Sequence, residues 1–511
     1  MNERLTIPHL ALRAAERWPD AEAVVDGAAR VTFAGLAERM ETAAAAFIAA
    51  GLKPGDRVGL WAPNGLDWIV ACLSLQAAGG ILTPLNTRFK GAEARYILER
   101  SRANMAIVAE DFLGMRYGDM VAKLGLPAVE RIISFGDQWQ AFLADATDAD
   151  RAEAQARIKA LTADDVSDIM FTSGTTGDPK GAVATHGQTA QTAQLWARAT
   201  GLAPGDRFLI LWPFFHCSGY KGAWVPCLAA GATIVPMATL DIPRLLETVE
   251  RERITFLPGP PTLFQTLLAM PDRAPGLLSS VRVAVTGASS VAPSMIEAMR
   301  ADLGIPVVLT GYGLTETCGT VTMTSPDDPP EIVTTSCGRA IEGIELACVD
   351  EAGRLVPTGE RGEVVVRGMN VMQGYLDDPA ATAQAIDAEG WLHTGDVGVL
   401  DDAGYLRIAD RKKDVFIVGG FNCYPAEIEK MLLAHPAILQ VAVTGVPDER
   451  MGEVGKAYVV RKQGAELDAG ELIAWSREHM ANYKVPRQVA FVAELPTNAT
   501  GKVQKFKLAH A

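Results

Sequence analysis

Asp168-Ile-Met-Phe-Thr-Ser-Gly-Thr-Thr-Gly-Asp-Pro-Lys-Gly181 begins as a short apolar strand and turns at once into a loop of hydroxyls and glycines followed by a lysine. Gly174 and Gly177 let the backbone aim its N–H groups at a ligand. Thr172, Ser173, Thr175 and Thr176 add hydroxyl donors, and Lys180 adds a positive charge. Such a loop suits phosphate oxygens better than it suits a merely solvated turn. It lacks the glycine and lysine spacing of a Walker loop, which argues against a generic P-loop kinase or ATPase. A strand that ends in a ligand loop belongs in an open α/β sheet, where binding sites lie at the carboxyl ends of strands.

The rest of the chain fits that setting. Thr32 opens a helical stretch that stops at Gly51, RVGLWAP reads as a short buried strand, and the next helix ends near Gly79 and Gly80. Apolar strands return in DRFLILWP, GATIVPM, RVAVTGAS and PVVLTGYG. This alternation predicts an α/β protein with mainly parallel sheets flanked by helices. Beyond about residue 340 the pattern becomes β-rich, and from about Lys413 a smaller α+β unit follows. The expected division is a large N-terminal domain, residues 1–412, with a β-rich subdomain, and a small C-terminal domain, residues 413–511.

A chain of 511 residues is too long for one ordinary core. Its apolar content of 49% and charged content of 21% are those of a globular protein. The net charge of -14 excludes the basic field that nucleic acid or an anionic membrane would require. It does not count against a small anion bound by local donors. The seven cysteines are odd in number, form no CxxC and show no zinc-ligand spacing, which fits a reducing compartment. The start of the chain has no signal-peptide core. The longest uncharged apolar run, Trp68 to Leu85, is interrupted by Gln76, Gly79, Gly80 and Pro84, so it reads as a buried helix and a strand rather than a membrane span. A cytoplasmic location is expected.

Two further loops carry chemistry. Gly311-Tyr-Gly-Leu-Thr-Glu-Thr-Cys-Gly319 follows a strand. Tyr312 offers a face for a purine, Thr315 a donor for a phosphate oxygen, and Glu316 a hard oxygen of the kind Mg²⁺ takes when it also holds ATP phosphates. In Trp391-Leu-His-Thr-Gly-Asp396, Asp396 can accept from both hydroxyls of a ribose, while His393 reads as structural.

TSGTTGDPKG resembles the phosphate loop of the adenylate-forming superfamily, which includes acyl-CoA synthetases, peptide-synthetase adenylation domains and firefly luciferase. Further motifs of that superfamily follow in order at residues 311–319, 391–398, 408–429 and 496–505, so the likeness covers nearly the whole chain. It implies a ligase that joins a carboxylic acid to ATP as acyl-AMP and passes the acyl group to coenzyme A, with ATP, Mg²⁺ and coenzyme A as the small molecules involved. It assigns Arg411 to the ribose, Gly287 and Ala288 to the border of adenine and acyl pocket, and Lys413 to a hinge about which the small domain moves. Gly419, Gly420 and Phe421 then resemble the loop that admits the thiol, with no nucleophilic role for Cys423. Lys502, in PTNATGKVQK, would bridge the acid's carboxylate and the α-phosphate. His216 resembles the position beside the carboxylate. Tyr220, Lys221, Phe264 and Gly313 would help wall the acyl pocket.

PFFH..GYK, LPGPPT, VTGAS and NVMQGYLDDP are most similar to ligases for the bicyclic propanoate left by steroid ring degradation, although Cys217 and Ser218 depart from that subgroup. A medium-chain fatty acid or an aryl acid is also compatible. Alternative outcomes are loading of a carrier-protein thiol, a luciferase-like oxygenation, or a non-catalytic nucleotide sensor, the last disfavoured by the joint presence of Glu316 and Lys502. No nucleic-acid partner and no integral membrane segment are expected, and a homodimer is a compatible assembly.

Overall fold

The computed structural model describes residues 5–173, 178–270, 274–286, 293–350, 352–411 and 416–496, with positions 505 and 508. The chain divides into two compact units. The larger comprises Met1–Thr87, Arg95–Met170 and Gly181–Ala409, and the smaller Arg88–Ala94, Phe171–Lys180 and Asp410–Ala511.

Two seven-stranded sheets frame the larger unit. One runs, edge to edge, Val307–Leu309, Val283–Val285, Phe256–Pro258, Arg207–Ile210, Thr233–Pro236, Glu22–Asp26 and Ala29–Thr32. Every pairing in it is parallel except the closing hairpin of the last two strands. The other runs Gly374–Tyr375, Pro179–Thr185, Val166–Ser173, Ile81–Pro84, Arg57–Trp61, Met105–Val108 and Arg131–Ser134. The phosphate-loop motif therefore begins on an interior strand of this second sheet. Strands Ile344–Val349, Arg361–Gly368, Leu392–Leu400 and Leu406–Arg411 make a separate four-stranded sheet, the β-rich part of the unit.

Local sequence explains the helices that cover these sheets. Thr32 caps Phe33–Ala49 by accepting from Gly35 N, and the helix buries Phe33, Leu36, Met40, Ala43 and Phe47 on one side. Helix Leu66–Ala77 is buried at every position but Asp67, as its largely apolar sequence requires. Thr185 and Gln188 form a reciprocal cap on His186–Thr200, so strand Pro179–Thr185 passes directly into that helix. The uncharged run from Trp68 to Leu85 thus resolves into helix Leu66–Ala77 and strand Ile81–Pro84. Among the described residues no helix is long and apolar enough to cross a membrane.

The smaller unit holds a mixed sheet ordered Phe421–Cys423, Phe416–Val418, Gly452–Arg461 and Ile438–Asp448, with Gln488–Phe491 parallel to Gly452–Arg461. Helices Pro425–Leu433 and Ala469–His479 accompany it, the first with Pro425 in its opening turn and the second with an Asp468–Glu471 capping box. Its core gathers Phe416, Val418, Ile428, Leu432, Val443, Val459 and Leu472.

Candidate active site

Three chain segments converge, joined within the larger unit through Asp168, Lys221, Cys318, Cys217 and Thr315. The first is strand Val166–Ser173, which leads into residues 174–177. The second is the turn from Pro213 into a π-helical stretch, Tyr220–Trp224, an irregularity often found at functional sites. The third is the 3₁₀ turn Thr315–Thr317, after the two-residue strand Gly311–Tyr312, which pairs with Thr322–Met323. The sequence pattern did not distinguish this small antiparallel sheet from the parallel strand before it. Close backbone approach demands glycine at two points. A Cβ on Gly219 would sit 2.2 Å from Pro213 O, and one on Gly313 would sit 2.3 Å from Gly319 O.

Glu316 is partly exposed, and Tyr375 Oη donates to its Oε1 at 2.9 Å. Its backbone carbonyl accepts from Met372 N at 2.8 Å. The segment Met372–Tyr375 therefore fixes both the main chain and the carboxylate of Glu316. Tyr375 was not singled out from sequence; the only signal was its place in the NVMQGYLDDP motif. Such an oriented carboxylate is a hard donor suited to a Mg²⁺ that completes its shell with phosphates and water.

Tyr312 and Asp396, far apart in sequence, meet: Tyr312 Oη donates to Asp396 Oδ2 at 2.6 Å. Thr394 Oγ1 accepts from Asp396 N at 3.1 Å and donates to Val364 O at 2.7 Å, at the register shift in strand Leu392–Leu400 that carries the carboxylate. His393 contacts Glu363 at 3.2 Å and Asp387 at 3.6 Å, a placement within the four-stranded sheet rather than toward Tyr312.

On the acyl side His216 is exposed, with Nδ1 accepting from Ser218 N at 3.3 Å and lying 2.8 Å from Ser218 Oγ. Cys217 is buried, its Sγ 3.7 Å from His216 Nδ1 and accepting from Thr315 Oγ1 at 3.7 Å. Burial alone would raise the Cys217 thiol. Attraction to the His216 imidazole outweighs burial at Cys217, so its thiol is lowered. The two positions that depart from the steroid-ligase pattern thus touch His216 and Thr315 directly.

Tyr220 and Lys221 are both wholly buried. Tyr220 Oη accepts from Gln76 Nε2 at 2.7 Å, and its ring stacks on Trp224 at 5.3 Å. Burial holds the phenol well above its ordinary value, so it stays neutral. Lys221 Nζ lies 2.7 Å from Asp168 Oδ1. Burial would favour the neutral amine, but the Asp168 charge outweighs it and keeps the ammonium. Phe264 is fully buried in the core cluster that contains Leu257, Leu263, Leu267 and Ala284.

In the smaller unit Thr172 Oγ1 donates to Lys180 O at 3.5 Å. Gly419 and Gly420 take positive φ, 55° and 86°, and Phe421 stacks on Tyr483 at 4.6 Å. Cys423 is buried, donates to Tyr483 O at 3.2 Å, and has its thiol pushed up to about 12 by burial, the opposite of an activated nucleophile. Arg411 ends strand Leu406–Arg411. Gly174, Thr175, Thr176, Gly177, Gly287, Ala288, Lys413 and Lys502 lie outside the described residues, as does the side chain of Ser173. Among the described residues no cluster of three or more His, Cys, Asp or Glu could hold a metal.

Comparison with known proteins matches this arrangement. Residues 12–376 fit the family of AMP-binding enzymes, and residues 427–502 fit the AMP-binding enzyme C-terminal domain. The chain is 48% identical, over 98% of its length and 97% of the relative's, to a 7a-methyl-1,5-dioxo-octahydro-1H-inden-4-yl propanoyl:CoA ligase of Rhodococcus jostii (strain RHA1). It is 46% identical, over 99% of both chains, to the ligase of the same name from Mycobacterium tuberculosis (strain ATCC 25618 / H37Rv). Among solved structures it is similar to an o-succinylbenzoate CoA synthetase from Bacillus subtilis, with a TM-score of 0.87, 28% identity, and coverage of 99% of this chain and 98% of that one. The chain belongs to the AMP-binding, adenylate-forming enzymes, and within them to the AMP-forming acyl-CoA synthetases.

Proposed function

We propose that the acid activated by this enzyme is a ring-bearing alkanoate, a steroid-derived bicyclic propanoate or a close analogue. The observation that carries this is identity of 46–48%, over essentially the full length, to two ligases named for that bicyclic propanoate.

The chemical obstacle is to bring a carboxylate anion to a polyanionic phosphate. In this proposal Thr172, Ser173, Gly174, Thr175, Thr176, Gly177 and Lys180 hold the phosphates. Tyr312 stacks on adenine, bordered by Gly287 and Ala288. Asp396 and Arg411 take the ribose. Glu316 would hold Mg²⁺, which when bound neutralises charge on the phosphates and on the departing pyrophosphate. Thr315 donates to a phosphate oxygen, and His216 lies beside the acid's carboxylate. Lys502 bridges that carboxylate and the α-phosphate, so that no covalent nucleophile from the protein is needed and positioning with charge suffices. The carboxylate attacks the α-phosphorus, pyrophosphate leaves, and a thiol then displaces AMP from the acyl carbon. For the second step residues 413–511 turn about Lys413, withdrawing Lys502 and presenting Gly419, Gly420 and Phe421 to coenzyme A.

A panel of acids with ATP and coenzyme A, followed by mass spectrometry for AMP and thioester, tests the substrate. Bicyclic and other cycloalkyl propanoates are expected to give the highest kcat/KM. A clear preference for straight medium-chain or hydroxycinnamic acids would overturn the proposal.

A further inference from the structure

Lys221 is 1% exposed and Asp168 0%, a charged pair sealed from solvent. Asp168 Oδ2 accepts from Ser167 Oγ at 2.7 Å, and Lys221 Nζ donates to Cys318 Sγ at 3.8 Å. Burying two full charges is costly, and well-packed apolar side chains of similar size usually hold a core together as well or better. Core cohesion alone therefore does not account for the pair. Its location does offer an account. Asp168 stands four residues before Thr172 on the strand that leads into the phosphate-loop motif. Lys221 stands five residues after His216, in the π-helical stretch. Cys318 follows Glu316 by two residues and closes the Thr315–Thr317 turn with a left-handed φ of 51°. One ammonium thus reaches all three segments that carry the groups assigned to phosphate, acyl carboxylate and metal. A second tie runs alongside it, from Thr315 to Cys217.

We infer that Lys221, with Asp168, is a positioning residue for adenylation: it touches no substrate and fixes the spacing between the strand entering the phosphate loop, the His216 turn and the Thr315–Glu316 turn. The inference rests on the roles proposed above for Glu316 and His216. It gives Lys221 a different role from the place in the acyl-pocket wall that the resemblance implies. An ion pair suits this task because it is short and directional, whereas apolar packing tolerates small slips. Displacements of about 1 Å can cost on the order of 100-fold in rate when reacting groups must be aligned.

The test measures acid-dependent exchange of labelled pyrophosphate into ATP, alongside the thermal midpoint, for the full chain and for Lys221→Met, Asp168→Asn with Lys221→Met together, and Glu316→Gln. Lys221→Met is expected to lower kcat by about 10- to 100-fold, with KM for ATP changed by less than about 3-fold. The double variant, which leaves no orphan charge, is expected to regain most of the lost midpoint but not the lost kcat. If kcat returns in step with the midpoint, the pair is merely structural and the inference is overturned. It is likewise overturned if the double variant exchanges pyrophosphate at the wild-type rate, which also serves should the single variant fail to fold. Wild-type exchange by Glu316→Gln would instead remove the site assignment beneath the inference, so the two failures are distinguishable.

Discussion

Glu316 shows how much a single side chain owes to a neighbour that sequence reading passed over. Its carboxylate is aimed by Tyr375, 59 residues further along, through a bond of 2.9 Å. Hydrogen bonds to charged groups contribute about 1.5–3 kcal/mol. Tyr375→Phe is therefore expected to lower the rate of adenylation by roughly 10- to 100-fold. Thioester formation from supplied acyl-AMP, which has no pyrophosphate to release, should change little. Single-turnover assays of the two half-reactions check this, and equal losses in both would show that Tyr375 supports the fold rather than the carboxylate. Cys423 makes the complementary point. Its place beside the glycine pair suggests a nucleophile, yet burial pushes its thiol up to about 12 and its hydrogen goes to a main-chain carbonyl.

Helix His186–Thr200 connects local capping with a pH response. Its first residue, His186, is 1% exposed, and Nδ1 accepts from Ile7 N at 3.4 Å, anchoring the start of helix Ile7–Arg17. Burial lowers its pKa from 6.5 to about 3. Between these values the unfolded chain takes up a proton that the folded chain refuses, so stability falls as pH drops below about 6.5 and levels out below about 3. At pH 5 the loss from this one group is about 2 kcal/mol. Urea unfolding at pH 7 and pH 5 should show His186→Asn losing less stability on acidification than the wild type. Equal losses would mean that other groups carry the acid response.

At the scale of the molecule, the net charge of -14 has to coexist with substrates that are themselves anions. In the proposed mechanism cations are supplied locally, by Lys180 within the phosphate motif and by Lys502 near the far end of the chain. Distribution of the two half-reactions over one polypeptide then becomes testable. Lys502→Ala is expected to lose adenylation by about 3–4 kcal/mol in activation free energy, the usual effect of removing one preorganised donor. It should still make thioester from supplied acyl-AMP. A parallel collapse of both steps would count against a lysine that acts only in the first.

The sequence by itself determined the α/β class, the helix that Thr32 opens, the buried run from Trp68 to Leu85 as helix and strand, and the family through its ordered motifs. These are legible because periodicity, capping and glycine placement act over a few residues, where neighbours in sequence are neighbours in space. Only the tertiary structure decided that Tyr312 bonds Asp396, that Tyr375 aims Glu316, and that Lys221 turns inward to Asp168. Each partner sits on a different element, and a lysine in a polar-looking turn carries no local sign that a buried carboxylate 53 positions earlier awaits it. Pairing across elements depends on which side chains are desolvated together, and that follows from the packed fold rather than from any window of the chain.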